Sequence, residues 1–176
     1  MERISAACAM EWSIELEKGL RSKKPGRSVE AILEIGPRLE QWNAEPQLTM
    51  AAYNMYGLIP GEDRLFANTI LLRLADAFRL GDKHTRLSVV KVFLSEVRHR
   101  NNQKSRPYSG ILSKLRVDNH LELLRRVKLV FYSGDVESRA FSLVLFGCWA
   151  HFSKDSPDIR YLILSSLVSS HVLEVR

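Results

Sequence analysis

The chain has 176 residues, of which 45% are hydrophobic and 26% are charged, and its formal net charge is +6. These values are ordinary for a globular protein and exclude disorder over most of the length. The longest wholly apolar run, 143–150, is less than half of a membrane span, so we predict no transmembrane segment. Cys8 and Cys148 lie far apart in apolar patterns, which favours a reducing intracellular compartment.

The first quarter of the chain has the pattern of a helical hairpin. Apolar residues recur at helical spacing over 5–22 and again after Pro25. In the second helix, Ile32 and Leu33 are predicted to share the buried face. Trp12, Trp42 and Trp149 are predicted to be core or groove aromatics, with exposure and contact with a partner as an alternative for Trp42 alone, because its neighbours are polar.

The pattern is interrupted over 43–61, where Pro46 and Pro60 bracket an apolar and aromatic stretch. We predict an irregular insert there that holds a short helix. Helical spacing returns from Arg64, and Gly81 is predicted to end that helix.

Two short segments, 81–86 and 134–139, share Gly, Asp, a hydroxyl residue and Arg in the same order, each between two apolar helical patterns. Their Asp side chains are predicted to cap the following helix, and their Arg side chains to reach an acid on the same or the next repeat. The residues of this structural repeat motif are Asp82, Arg86, Asp135 and Arg139. Recurrent helix pairs indicate an all-α fold, a HEAT/armadillo-like α-solenoid of antiparallel helix pairs.

The third quarter begins with a helix that Asp118 or Asn119 is predicted to cap, with Leu121 turned inward and Arg126 outward. The helix opened by Asp135 is apolar nearly all round, so we expect it to be covered on more than one side.

Ser156-Pro157 is predicted to start the last full helix. Glu174-Val175-Arg176 then repeats the pattern of 137–139, so residues 170–176 are predicted to begin an incomplete repeat. We therefore expect residues 1–176 to be a single α-solenoid segment, from a fragment or a truncated form, whose last helices expose apolar surface.

Basic residues are concentrated over 98–128, a segment that contains nine Lys and Arg residues and only two acidic residues, Asp118 and Glu122. This segment includes a basic surface loop predicted at about 99–117. It invites an acidic partner, either an acidic protein segment or RNA or DNA, although Tyr108 is the only ring in the loop that a base could stack on. The candidate contact residues are Arg98, Arg100, Lys104, Arg106, Lys114, Arg116, Arg125 and Arg126.

The sequence carries no recognisable enzyme signature. It has no glycine-rich phosphate loop, no metal-ligand spacing and no nucleophile elbow, so we predict no catalytic residue, no metal site, no cofactor and no small-molecule substrate. The five histidines are scattered. Cys148 lies in apolar surroundings that raise a thiol pKa, which favours core packing over nucleophilic catalysis.

Several blocks of the chain resemble one known family. Residues 16–22, 74–81 and 86–92, with the later 135–140, are similar to the N-terminal region of the Integrator complex subunit 7 family. The resemblance spans nearly the whole chain. It implies an α-solenoid without catalytic residues in a nuclear assembly that acts with RNA polymerase II in 3′-end processing of small nuclear RNA and in transcription termination.

The primary hypothesis is therefore a non-enzymatic scaffold that binds other Integrator subunits through helix faces, in the nucleus and without a membrane. The alternative is a nucleic-acid-binding helical-repeat module that uses the basic segment 98–128. A karyopherin-like cargo adaptor shares the same predicted architecture.

Overall fold

The computed structural model describes residues 3–46, 48–102, 112 and 117–174. Within those ranges the chain is all-α, as predicted, and contains no strand. The helices are α1 (Ser5–Arg21), α2 (Arg27–Ala44), α3 (Met50–Met55), α4 (Glu62–Leu80), α5 (Lys83–Asn101), α6 (His120–Ser133), α7 (Val136–Cys148), α8 (Ala150–Ser153) and α9 (Pro157–Glu174).

Six long helices pack as three hairpins, α1/α2, α4/α5 and α6/α7. Helix α4 lies between α1 and α6, and α5 lies between α2 and α7. The hairpins therefore stand side by side in two layers, which we call the α1 layer (α1, α4 and α6) and the α2 layer (α2, α5 and α7). The apolar core is continuous from the first hairpin to the third, because Leu16, Phe78 and Phe146 belong to one buried cluster.

In the first hairpin, α1 and α2 pack very closely at Gly19. A Cβ atom at Gly19 would lie 2.3 Å from the Cβ of Ala31, so only glycine lets α1 and α2 approach this closely. Trp42 is a core aromatic, and the surface alternative for it is wrong. Its side chain is only 3% exposed and packs edge-on against Trp12, with ring centroids 6.0 Å apart. Leu33 is exposed instead, because Ala31, Ile32 and Ile35 form the buried face of α2 with Leu39 and Trp42.

The insert and the helix that follows it match the prediction. The insert holds α3, whose N-cap Thr49 accepts a hydrogen bond from the backbone N–H of Ala52 at 3.2 Å. The Tyr53 hydroxyl bonds to Asp63 at 3.1 Å and so ties α3 to α4. Helix α4 ends immediately before Gly81.

The second half of the chain corrects two predictions, the inward side of Leu121 and the side-chain cap of α6. Leu121 is 72% exposed, because Leu123, Leu124, Val127 and Val130 form the buried face of α6. Asn119 stands at the N-cap of α6, but its side chain makes no capping hydrogen bond. Helix α7 packs against α5, α6 and α8, so it is covered on more than one side, as predicted, while Val136 and Val144 on it reach solvent.

The last helix starts at Pro157, as predicted, and its apolar side chains are exposed at Tyr161, Leu164, Leu167 and Val168. Residues 170–174 continue α9, so the prediction that a further repeat begins there is wrong as far as Glu174. His171 and Val172 stand where the Gly134-Asp135 pair would be needed, so the capping signal is missing. Residues 175 and 176 lie outside the described residues.

The predicted loop at 99–117 starts too early, because α5 remains helical through Asn101. Residues 103–111 and 113–116 lie outside the described residues, and Lys104, Arg106, Lys114 and Arg116 are among them.

Candidate interaction surfaces

The two Gly-Asp turns have the same local geometry. A Cβ atom at Gly81 would lie 2.5 Å from the side chain of Thr85, and one at Gly134 would lie 2.5 Å from that of Ser138. Both glycines have extended backbone with negative φ. Glycine is therefore required by the close approach of the next helical turn, and not by a left-handed conformation.

The capping prediction is confirmed at both turns. Asp82 accepts a hydrogen bond from the backbone N–H of Thr85 at 2.9 Å, and Asp135 accepts one from that of Ser138 at 2.8 Å. These backbone bonds hold the pKa of each Asp carboxyl below its ordinary value, because they stabilise the ionised form.

Arg86 joins two hairpins at this edge of the stack, which we call the turn edge. Its Nε donates to the carbonyl of Phe78 at 2.9 Å, and its Nη1 donates to the hydroxyl of Ser138 at 2.8 Å. The prediction placed an acid within its reach, whereas the observed hydrogen-bond partners are the carbonyls of Phe78 and Arg79 and the hydroxyl of Ser138. Lys83 and Glu137 add an ion pair across the same junction at 2.9 Å.

Arg139 repeats the sequence position of Arg86 but not its contacts. Its side chain is exposed and makes no hydrogen bond or ion pair within the described ranges. The second Gly-Asp turn thus supplies a cap and no bridge.

The opposite edge of the stack, which we call the network edge, is held by buried polar groups that the sequence analysis missed. Glu96 is 1% exposed and accepts hydrogen bonds from Asn43 at 2.9 Å and from Arg100 at 3.1 Å. Arg100 also donates to the carbonyl of Cys148 at 3.3 Å. The network connects α2, α5 and α7. A signal existed in the sequence, because Glu96 occupies the helical register of the buried Val89 and Phe93.

The described candidates of the basic segment fall into two groups. Arg98 and Arg125 are exposed. Arg100 is largely buried in the network edge, and Arg126, which is 18% exposed, pairs with Asp76 at 3.3 Å and with Glu122 at 3.4 Å. The outward orientation predicted for Arg126 is therefore wrong, since it bonds α6 to α4.

Arg125 pairs with a carboxylate on its own helix. Its Nε donates to Glu122 at 3.0 Å, and this hydrogen bond holds the pKa of Glu122 below its ordinary value. The structure therefore does not bring the described candidates together as one free cationic patch.

The described part of the chain contains neither an activated thiol at Cys148 nor a group of metal ligands. Burial raises the pKa of the Cys148 thiol to about 11, so the thiol is protonated at neutral pH, as its apolar surroundings predicted. Across the described residues, no three His, Cys, Asp or Glu side chains group as metal ligands would. In the same residues, no helix has the length and apolarity to cross a membrane.

Large apolar side chains are exposed unequally on the two layers. The α2 layer exposes three of them, Leu33, Val136 and Val144. The α1 layer exposes seven, and these are Met10, Ile14, Leu65, Leu80, Leu121, Leu129 and Tyr132. Exposed apolar side chains that recur on one side of a protein mark interaction surfaces more often than scattered ones do.

The fold and these surfaces define an all-α protein of packed hairpins with one apolar outer layer and bridged turns. A family model described as Integrator complex subunit 7, N-terminal, matches residues 64–176. The chain belongs to the Integrator complex subunit 7 family.

Individual relatives agree with that assignment. Integrator complex subunit 7 of Gallus gallus is 32% identical over 163 residues, and that of Homo sapiens is 31% identical over 163 residues. The homolog of Dictyostelium discoideum is 25% identical over 162 residues. Each alignment covers 92% of this chain and 13% of the relative, so the chain spans a small part of the relatives' length. No solved structure gives a significant match.

Proposed function

We propose that the chain is a non-enzymatic scaffold subunit of a nuclear Integrator-like complex. In this role it acts with RNA polymerase II in 3′-end processing of small nuclear RNA and in transcription termination, while other subunits carry out the chemistry. Membership of the Integrator complex subunit 7 family supports the assembly in which the chain would work.

The observation that carries the scaffold role is the apolar surface of the α1 layer. Seven large apolar side chains are exposed there against three on the α2 layer, and such an imbalance favours one face for protein contact. Tyr132 is the aromatic member of this set, and aromatic side chains are enriched among the residues that dominate binding energy.

The architecture that fits this role is a HEAT/armadillo-like α-solenoid. Stacked hairpins give a long surface relative to chain length, because each hairpin contacts only its neighbours. The two-layer order of helices and the bridge from Arg86 to Ser138 support this assignment.

The test is co-purification of the full chain with the other Integrator subunits from nuclei. We expect several subunits to be recovered with the wild type, and we expect Leu121→Glu with Tyr132→Glu to lower recovery at least ~10-fold, because two exposed apolar contacts would be replaced by charge. Leu33→Glu, on the α2 layer, is the matched control and should leave recovery unchanged. Recovery of no Integrator subunit with the wild type would contradict the proposal.

Nucleic-acid binding through the basic segment 98–128 is the alternative. Arg98 and Arg125 are the described candidates that reach solvent, whereas Arg100 and Arg126 are engaged in internal pairs. Titration of RNA and DNA at two salt concentrations separates this alternative from the scaffold, because phosphate contacts lose affinity steeply with salt. Absence of binding at low salt would eliminate it.

A further inference from the structure

The turn between α1 and α2 carries the densest group of cations in the described chain. Residues 18–27 contain no carboxylate, and their five basic residues are Lys18, Arg21, Lys23, Lys24 and Arg27. We call this segment the basic turn. Lys23 and Lys24 are exposed and make no ion pair among the described residues, whereas Arg21 and Arg27 pair with glutamates on their own helices.

A cleft opens beside the basic turn, between the first and second hairpins. Its volume is about 550 Å³, which is within the range of ligand-binding clefts. Leu20, Ala77 and Leu80 form an apolar lining, and Leu80 is 72% exposed. Arg21 and Arg73 lie at the same cleft.

The carboxylates of the cleft are already paired with cations. Glu17 pairs with Arg21 at 2.9 Å and with Arg73 at 2.9 Å, and Asp76 pairs with Arg126 at 3.3 Å. Lys23 and Lys24 follow the lining residue Arg21 by two and three positions and make no ion pair among the described residues, whereas Asp82, next to the lining residue Gly81, accepts a backbone hydrogen bond from Thr85. Two unpaired lysines against one capping carboxylate leave the charge beside the cleft positive. A complementary ligand carries carboxylates or phosphates next to an apolar group.

The side chains that line the cleft favour one of these two kinds of ligand, the carboxylate-bearing or the phosphate-bearing one. Single-stranded nucleic acid is held by base stacking on aromatic rings, and no aromatic side chain lines the described cleft. Leucine and alanine side chains instead suit an aliphatic side chain of a peptide. The composition therefore favours an acidic protein segment over nucleic acid.

We propose that this cleft binds a short acidic segment of another subunit, which places an apolar side chain against Leu20 and Leu80 and its carboxylates beside Lys23 and Lys24. This inference rests on the proposed scaffold function and names one of its contacts.

The experiment uses the full chain reconstituted with the other Integrator subunits. Lys23→Glu with Lys24→Glu should weaken assembly at least ~10-fold at low salt, with a smaller loss at high salt, because the two reversals repel a carboxylate partner. Lys91→Glu with Lys154→Glu is the matched control, because both lysines are exposed and make no ion pair within the described ranges. The control should assemble as the wild type does.

Leu80→Ser tests the apolar part of the cleft, and its control is Leu33→Ser, an exposed leucine on the α2 layer, where neither proposal places a contact. We expect ~10-fold weaker assembly for Leu80→Ser and wild-type assembly for Leu33→Ser. Zero-length carbodiimide cross-linking of the wild-type complex should join Lys23 or Lys24 to an Asp or Glu of the partner segment. Far-UV circular dichroism checks that each variant is folded.

The outcomes separate the two proposals. Failure of the wild-type chain to bind any subunit would overturn the scaffold function itself. Wild-type assembly that the lysine reversals leave unchanged, without carbodiimide cross-links at the basic turn, would overturn the cleft alone. RNA binding that is lost in the lysine reversals but kept in Leu80→Ser would also overturn it, because the partner would then be nucleic acid.

Discussion

The turn edge and the network edge hold the same hairpins together by different means. At the turn edge, each Gly-Asp segment builds its cap from two residues three positions apart, and Arg86 adds one bridge to Ser138. At the network edge, Glu96 gathers donors from positions 43 and 100 into a buried site. A short motif can thus fix a turn, whereas a junction of three hairpins needs a buried polar group whose partners lie far apart in sequence.

The largest effect is expected at the network edge. Glu96→Gln leaves the buried guanidinium of Arg100 without its carboxylate, so we expect a loss of about 3 kcal/mol in the free energy of unfolding, measured by urea denaturation. Glu137→Gln breaks the exposed pair with Lys83 and should cost less than ~1 kcal/mol. Equal losses for the two variants would show that burial of the network does not matter. Alkylation of the Cys148 thiol should also become faster in Glu96→Gln. The reason is that Arg100, which donates to the backbone carbonyl of Cys148, loses its carboxylate partner in this variant.

Glycine at the turn edge is the next target. Gly134→Ala places a Cβ 2.6 Å from the carbonyl oxygen of Val130, so we expect a loss of roughly 1–3 kcal/mol in the free energy of unfolding. Gly147→Ala is the matched control on α7, since no atom lies within 4 Å of its Cβ position. That substitution should stabilise the helix by about 1 kcal/mol. The two substitutions are thus expected to change the free energy of unfolding in opposite directions. A change in the same direction would contradict the explanation that Gly134 is required by the close approach of the next helical turn.

The two arginines of the repeated motif give a smaller contrast. Arg86→Ala removes bonds to Phe78 and Ser138, so we expect a loss of about 1–2 kcal/mol in a denaturant titration. Arg139→Ala should change stability by less than ~0.5 kcal/mol, since its side chain is exposed and makes no contact in the described part of the chain. A double-mutant cycle of Arg86 with Ser138 measures the bridge itself. A coupling energy of zero would mean that the bridge contributes nothing.

The smallest expected effect depends on pH. The folded-state pKa values of Asp82 and Asp135 are lowered, so each carboxylate adds stability above its unfolded pKa, and that stability is lost as the pH falls through the folded pKa. In Asp82→Asn with Asp135→Asn, the capping amide does not titrate. We therefore expect the melting temperature of the wild type to fall more than that of this variant as the pH is lowered from neutral to below about 4, where free Asp is protonated. Parallel melting curves at all pH values would contradict the role of the ionised caps.

Most of the secondary structure could be predicted from sequence because its signals are local. Gly81, Asp82 and Pro157 each act within one turn of helix, and the boundaries predicted from them are observed. The failures concern which side of a helix is covered. Trp42 has polar sequence neighbours yet contacts Trp12 across the hairpin, and Leu121 has an apolar register yet faces solvent. These outcomes depend on neighbouring helices, which no single segment specifies.

The candidate contacts were less predictable than the helices for the same reason. The charge of Arg126 is visible in the sequence, but its engagement by Asp76 depends on the position of α6 against α4. Conversely, the basic turn has a lower count of cations than 98–128 and lies beside a cleft that only the packed hairpins create.

The placement of the three tryptophans gives the molecule its own optical probes. Trp12 and Trp42 form an edge-to-face pair in the first hairpin, whereas Trp149 packs against Phe93 and Phe152 toward the other end of the stack. Near-ultraviolet circular dichroism from the Trp12–Trp42 pair therefore follows melting of the first hairpin. In a variant with Trp12→Phe and Trp42→Phe, the fluorescence emission of Trp149 follows melting toward the other end of the stack. Label-free spectroscopy can in this way reveal whether the hairpins melt together or one after another from an end.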